Sequence, residues 1–144
     1  MEAMIRSILT LLETQAMLSN IQFVVNAENN LPHVSCEENQ LKQAFINLIK
    51  NAIEAMPDGG QIDIDLRSEG ADSVRIVFKD RGQGIENDVL ARLGEPFYTT
   101  KEKGTGLGIM ITYKIIEDHR GHLVVESKVG EGTVVSVTLP SAYE

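Results

Sequence analysis

The sequence is short of the residues that cross-link, anchor or carry a chain to nucleic acid. It has one cysteine, Cys36, so no disulfide can form within the chain, which suits a reducing compartment. No apolar run approaches the ~20 residues that span a bilayer. Basic residues are in the minority, and the net charge of -8 disfavours nucleic acid and anionic lipid as partners. We therefore expect a cytoplasmic domain that makes no membrane contact of its own.

The hydrophobic pattern predicts a single domain over residues 1–144, a two-layer α+β sandwich, because strands segregate into antiparallel pairs and helices are few. The first helix would bury Ile5, Ile8, Leu9, Leu12 and Ala16. Ser35 and Glu38 match a capping box that would open a second helix from Cys36 to Ala55. A third helix is predicted over Thr105–Asp118. Strands are predicted at Ile21–Val25, at residues 62–66, at Val74–Lys79, and in the segments HLVVES and TVVSVTLP.

The stretch from Arg81 to Lys103 has no clear periodicity. Compact domains rarely keep loops of this length unless the loops serve as lids or binding segments. We therefore expect a long lid over a ligand.

Three glycines, Gly104, Gly106 and Gly108, stand at alternate positions where the third helix is predicted to begin. Backbone N–H groups at a helix N-terminus form an anion site, and glycines would let phosphates approach them. Ile109 breaks the Rossmann spacing, and the chain holds no Walker lysine motif. The alternative to a phosphate site is a flexible hinge before the helix.

Asn47 and Asn51 lie four residues apart, and hence on one face of the second helix. Asparagine is a poor helix former, so two of them in mid-helix call for a reason. Their amide oxygens are suitable ligands for Mg²⁺, which also bridges substrate phosphates. The alternative is an ordinary solvated polar face.

The segment DRGQG, from Asp80 to Gly84, follows a predicted strand. A carboxylate there can accept a hydrogen bond from the exocyclic amine of adenine, whereas guanine presents an oxygen. The alternative is an Asp-containing turn. The segment GEGT, from Gly130 to Thr133, is by itself most simply a hairpin turn.

The order of these motifs resembles the ATP-binding catalytic domain of two-component sensor histidine kinases. The asparagine helix, D-x-G-x-G, E-P-F, G-T-G-L-G and G-x-G-T correspond to that family's N, G1, F, G2 and G3 boxes over essentially the whole chain. The segments NLIKNAIEAMPDGG and EPFYTTKEKGTGLGI are similar in sequence to those of the nitrogen-regulator and sporulation-type kinases. The resemblance implies the Bergerat α/β sandwich: a mixed, mostly antiparallel sheet of about five strands on three main helices, with a long ATP lid.

By the same resemblance the cofactors would be ATP and Mg²⁺. Asn51 would bind the ion with support from Asn47, and Lys50 would reach the phosphates. Asp80 would bind the adenine amine, and Thr133 would lie near it through a bridging water. The remaining nucleotide-binding positions would be Gly82, Gly84, Ile85, Phe97 in the lid, Thr99, Thr100, Lys103, Gly104, Thr105, Gly106, Leu107 and Gly108.

One position favours phosphoryl transfer over hydrolysis. Gyrase-type ATPases of similar layout place a glutamate, the general base for water, where this chain has Asn47. The resemblance therefore implies a protein histidine kinase, with a gyrase- or chaperone-type ATPase or a non-catalytic nucleotide-sensing module as alternatives.

The phosphoacceptor is predicted to lie elsewhere. His33, His119 and His122 lack the acceptor motif of the family, and the last two are best explained by an ordinary helix end. We expect the partners to be a separate, dimeric histidine phosphoacceptor domain of a parent kinase and a downstream response regulator. The resemblance leaves open whether that parent is anchored in a membrane, and this domain is not expected to phosphorylate itself alone.

Overall fold

The structure, a computed structural model, describes residues 1–29, 31–32, 34, 36–70, 72–82 and 107–141, with the backbone alone for residues 107–110. The described part of the chain contains three helices and five strands. In order they are α1 (Glu2–Leu18), β1 (Ile21–Ala27), α2 (Glu38–Glu54), β2 (Gly60–Glu69), β3 (Ser73–Asp80), α3 (Leu107–Asp118), β4 (His122–Lys128) and β5 (Gly132–Pro140).

The strands form one mixed sheet in the order β1-β2-β3-β5-β4. β1 and β2 pair in parallel because α2 carries the chain from the end of one strand back to the start of the next. The other three pairings are antiparallel. The mixed, mostly antiparallel sheet of five strands is therefore confirmed, and so is the two-layer architecture with three helices in the described residues.

The core lies between one face of the sheet and the helices. Ile62, Ile64 and Leu66 of β2 are fully buried, while Asp63 and Asp65 between them stay on the partly exposed side. This alternation is that of a sheet covered on one face only. All five apolar residues predicted for α1 are buried.

Helix α2 packs centrally against this face. Phe45 of α2 lies against Phe78 of β3 with ring centroids 5.7 Å apart. The buried side of α2 holds the predicted apolar residues and Ile49: Leu41, Ala44, Phe45, Leu48, Ile49, Ala52 and Ile53. Its other side is left to polar residues, and these include the two asparagines.

Two predicted details need correction or remain outside the described residues. Helix α2 begins at Glu38 with Glu37 as N-cap and has no side-chain cap hydrogen bond, so the predicted capping box at Ser35 is wrong. The predicted lid, Arg81–Lys103, lies outside the described residues except for its first two positions. Within the described ranges, no helix is both long and apolar enough to cross a membrane.

Candidate functional site

Asp80 ends β3 as one of the few buried polar residues in the described part of the chain, with 7% of its surface exposed. The backbone N–H of Gly82 donates to its carboxylate oxygen Oδ1 at 2.9 Å. Burial raises the pKa of the Asp80 carboxyl, and the backbone N–H groups of Gly82 and Thr133 offset part of this rise. A carboxylate held this way is both desolvated and fixed in direction, as a specific acceptor for a ligand amine must be.

Gly82 lies between the Asp80 carboxylate and the end of α2. A Cβ at Gly82 would stand 2.5 Å from the carbonyl oxygen of Ala55, so only glycine allows the loop to lie against the helix here. Ala55 is the C-cap of α2, and its N–H donates to the carbonyl oxygen of Asn51 at 3.0 Å. The turn of α2 that carries Asn51 is therefore packed against the loop that holds Asp80.

The predicted polar face of α2 is present. Asn47 and Asn51 are both half-buried, at consecutive turns of the helix, while Lys50 is exposed. The amide oxygen of Asn51 is a hard metal ligand at a partly solvated position, which fits a Mg²⁺ ion that keeps several waters. The residues present therefore suit the ion that the family resemblance implies.

The start of β5 forms the opposite wall of the Asp80 position. Thr133 pairs with Asp80 in the sheet register, and its hydroxyl lies 2.8 Å from the hydroxyl of Ser127 on β4. Gly132, at a φ of +119°, passes so close to the Asp80 carbonyl that a Cβ there would collide with it. The turn before β5 is thus pressed onto the end of β3.

Helix α3 completes the described part of the site. Its backbone begins at Leu107 and includes Gly108 in the first turn, where N–H groups lack partners inside the helix. Helix α3 packs against α2 and buries Thr112, Ile115 and Ile116. The N-terminus of α3 therefore belongs to the same helical layer as the asparagines.

Most of the predicted phosphate and lid positions cannot be placed. They lie outside the described residues: Gly84, Ile85, Phe97, Thr99, Thr100, Lys103, Gly104, Thr105 and Gly106. The structure places Gly82 and Thr133 beside Asp80, and Gly82 lies against Ala55, whose N–H donates to the Asn51 carbonyl. The roles predicted for all of these residues stay predictions.

Two residues of this site were missed in the sequence. Ala55 sits between Asn51 and Gly82, and Ser127 donates to the Gly132 carbonyl at 2.9 Å while sharing a hydrogen bond with Thr133. Ala55 carries no chemical signal of its own. The pairing of β4 with β5 brings Ser127 opposite Thr133, and a hairpin register drawn through the GEGT turn could have found it.

A cavity of about 680 Å³ opens beside the site, between the end of α1, the start of β1 and the α2–β2 turn. Arg81 lines it, together with Met17, Asn20 and Met56. The described residues that line it include neither Asp80 nor the asparagines of α2. We therefore do not assign the nucleotide to this cavity.

Known proteins match this fold. The family of histidine kinase-, DNA gyrase B- and HSP90-like ATPases matches residues 36–143. A solved catalytic domain of histidine kinase ThkA, in a nucleotide-free form, has a TM-score of 0.87 and 34% identity, covering 98% of this chain and 92% of that one. The chain belongs to the histidine kinase catalytic domains. Because this match is to a kinase domain over nearly its whole length, the gyrase- and chaperone-type alternative is not favoured.

Other relatives place the catalytic domain within larger proteins. Sporulation kinase E of Bacillus subtilis (strain 168) is 55% identical over 135 residues, which cover 94% of this chain and 18% of that protein. The chain thus spans about a fifth of this curated relative. A structure of ThkA in complex with response regulator protein TrrA has a TM-score of 0.83 and 30% identity, covering 99% of this chain and 40% of that one. The resemblance to sporulation-type histidine kinases is confirmed.

Proposed function

We propose that this catalytic domain binds Mg-ATP and transfers the γ-phosphate to a histidine on a separate helical phosphoacceptor domain. The observation that carries the proposal is the contact of Gly82 with Ala55. It packs the loop holding the buried Asp80 carboxylate against the turn of α2 that presents Asn51. An acid that would recognise the base, on the sheet, and an amide that would bind the metal, on the helical layer, are thereby held next to each other.

Asp80 would select adenine. Its carboxylate is desolvated and already oriented by the Gly82 N–H, so an exocyclic amine finds an acceptor that needs little rearrangement. Thr133 pairs with the same residue and carries a hydroxyl beside it, at the place where a water could bridge to the base. The purine would therefore lie at the end of β3, with its phosphates directed along the helical layer.

The phosphates would meet Asn51 and the N-terminus of α3. Asn51 would hold Mg²⁺ through its amide oxygen, and a bound Mg²⁺ neutralises phosphate charge during transfer. The first N–H groups of α3, at Leu107 and Gly108, point out of the helix toward its positive end. Exposed Lys50 adds a cation on the solvent side of α2. Phosphoryl transfer depends mainly on such positioning and charge neutralisation.

Hydrolysis should be slow because Asn47 cannot act as a base. It stands one helical turn before Asn51, and its neutral amide does not take a proton from water. ATP bound here would persist until an acceptor imidazole arrives. We assign the acceptor to a dimeric helical domain of a parent kinase, the next recipient to a response regulator, and the compartment to the cytoplasm.

The test supplies the proposed acceptor. The domain is incubated with γ-labelled ATP, Mg²⁺ and the isolated phosphoacceptor domain of a sporulation-type kinase, and acid-labile phosphohistidine is measured. We expect label on the acceptor, none on this chain alone, and loss of label with Asp80→Asn. Asp65→Asn, on the partly exposed side of β2, is the matched control and should label normally. Fast phosphate release without acceptor labelling would overturn the proposal in favour of an ATPase.

A further inference from the structure

Helix α2 obtains its N-terminal cap from another helix. Its N-cap residue, Glu37, makes no side-chain cap hydrogen bond. Instead the Glu37 backbone N–H donates to the imidazole Nε2 of His119 at 3.0 Å, across 82 residues of sequence. In a capping box a glutamate or glutamine of the same helix accepts this N–H. Here the acceptor comes from the end of α3.

The two hydrogen bonds of His119 define one protonation state. Nε2 accepts from Glu37 and so carries no proton, while Nδ1 lies 2.7 Å from the Ile115 carbonyl oxygen and must be the donor. His119 is therefore neutral, with its proton on Nδ1. The hydrogen bond to the Ile115 carbonyl orients the imidazole ring. In this orientation Nε2 accepts the Glu37 N–H at the start of α2.

The end of α3 does not need this side chain for its own capping. Arg120 adopts a positive φ of 60°, and the Gly121 N–H donates to the Ile116 carbonyl at 2.9 Å. The His119 N–H also reaches the Ile115 and Ile116 carbonyls at 3.2 Å. Backbone groups thus already satisfy the last turn. His119 therefore lies at an ordinary helix end, as the sequence suggested, and its side chain makes one further bond, to α2.

We propose that His119 is a positioning residue that fixes α2 against α3 and thereby sets the spacing of the two helices that face the nucleotide phosphates. The proposal rests on the proposed function. Helix α2 carries Asn47 and Asn51, and α3 begins with the N–H groups of Leu107 and Gly108. The Gly82–Ala55 contact holds the C-terminal end of α2, and the His119 bond, which we name the imidazole clasp, holds its start.

A helix is stiff, so a constraint at its start also limits the positions of residues further along it. Asn47 lies ten residues beyond Glu37, about 15 Å along the axis. With both ends of α2 held, the asparagine face keeps one orientation toward α3. Without the clasp, only side-chain packing holds the start of α2 against α3, and we expect the distance from Asn47 and Asn51 to the start of α3 to vary more.

The clasp can be observed without any nucleotide. In the 144-residue chain, imidazole ¹⁵N spectra should show a neutral His119 with its proton on Nδ1, assigned by the signal lost in His119→Gln. Amide hydrogen exchange at Glu37 should be slow, and faster in His119→Leu. A proton on Nε2, or equal exchange at Glu37 in the wild type and His119→Leu, would refute the clasp.

Its positioning role is tested by rescue. His119→Leu removes the acceptor, whereas His119→Gln keeps an oxygen near the place of Nε2. His119→Leu should weaken Mg-ADP binding by about 3- to 10-fold, the value of one neutral hydrogen bond, and His119→Gln should recover to within about twofold. His122→Gln, at an exposed position on β4, is the matched control and should bind like the wild type.

General loss of stability is excluded by a second variant. Val74→Ala opens the core at the far end of β3 from Asp80 and should lower the melting temperature without weakening Mg-ADP binding. Equal affinity of His119→Leu and wild type, or no rescue by glutamine, would overturn the positioning role. If the wild type binds no nucleotide, the proposed function fails, and the ¹⁵N and exchange measurements still decide the clasp.

Discussion

Replacing Asp80 with asparagine should weaken nucleotide binding without unfolding the domain. The substitution keeps the shape of the side chain and leaves an amide oxygen to accept the Gly82 N–H now bonded at 2.9 Å. It removes the charge and sets an NH₂ group where an acceptor is required. A hydrogen bond to a charged group contributes ~1.5–3 kcal/mol. Since each 1.4 kcal/mol is about tenfold in affinity, ADP and ATP should bind about 10- to 150-fold more weakly.

The free energy of unfolding of Asp80→Asn should not fall in parallel with its nucleotide affinity, because the pKa of Asp80 is raised in the folded domain. Burial raises the pKa of the Asp80 carboxyl, so the folded domain binds this proton more tightly than the unfolded chain does. The contribution of Asp80 to stability is therefore present at low pH and is lost as the pH rises through the raised pKa. An asparagine has no proton to lose in this pH range, so the stability of the variant does not decrease in this way as the pH rises. We expect the free energy of unfolding of Asp80→Asn at neutral pH to stay close to that of the wild type, because removal of the buried charge and loss of the Thr133 hydrogen bond act in opposite directions.

Calorimetric titration with ADP and ATP, beside urea unfolding, measures both effects. In the wild type, nucleotide affinity should fall as the pH drops through the raised pKa of Asp80, and this dependence should flatten in the variant. Asp65→Asn, on the partly exposed side of β2, is the control for loss of a carboxylate and should change neither quantity by much. Unchanged affinity of Asp80→Asn for both nucleotides would remove Asp80 from the site. A variant that loses binding only because it unfolds would refute the reasoning on stability.

Further predictions follow from the helix and the glycines around Asp80. Asn51→Ala should bind ADP nearly as well as the wild type without metal yet lose Mg²⁺-dependent transfer, and transfer at the wild-type rate to a supplied acceptor domain would show that the metal assignment is wrong. Asn47→Glu places a carboxylate one turn before Asn51 and should raise phosphate release from ATP, measured with γ-labelled nucleotide; a rate equal to the wild type at saturating ATP would count against the base argument. Gly132→Ala should destabilise the domain in urea by ~1–3 kcal/mol more than Gly70→Ala, because both glycines have positive φ but only Gly132 would drive a Cβ into the Asp80 carbonyl. Equal midpoints for the two alanine variants would mean that the β5 turn yields without cost.

The fold was predictable because local signals and burial agree. In α1 the apolar spacing named every buried residue, and in β2 the alternation of isoleucine with aspartate identified the covered face. The start of α2 was not predictable in the same way. The sequence offers a capping box at Ser35, but the helix begins at Glu38 and takes its cap from His119. A contact that joins positions 82 residues apart leaves no periodic trace near either residue.

The site was predictable as chemistry and less so as geometry. Asparagine pairs and an Asp-Gly loop stand out because they are costly or unusual where they occur, and the structure brings Asn51 and Asp80 to adjoining elements. What the sequence could not give is which neighbour each glycine approaches. The space at Gly82 faces Ala55, and that at Gly132 faces the Asp80 carbonyl, so both glycines are required by contacts within the protein.

This changes how the glycines at Asp80 should be understood. A glycine that clears room for a ligand can be replaced at a cost to binding alone, whereas Gly82 lies against Ala55 at the end of α2 and Gly132 lies against the backbone of Asp80. Burial raises the pKa of the Asp80 carboxyl because desolvation disfavours its charged form. Backbone contacts therefore hold Asp80 at its buried position, where an adenine amine would add a further donor to those of Gly82 and Thr133.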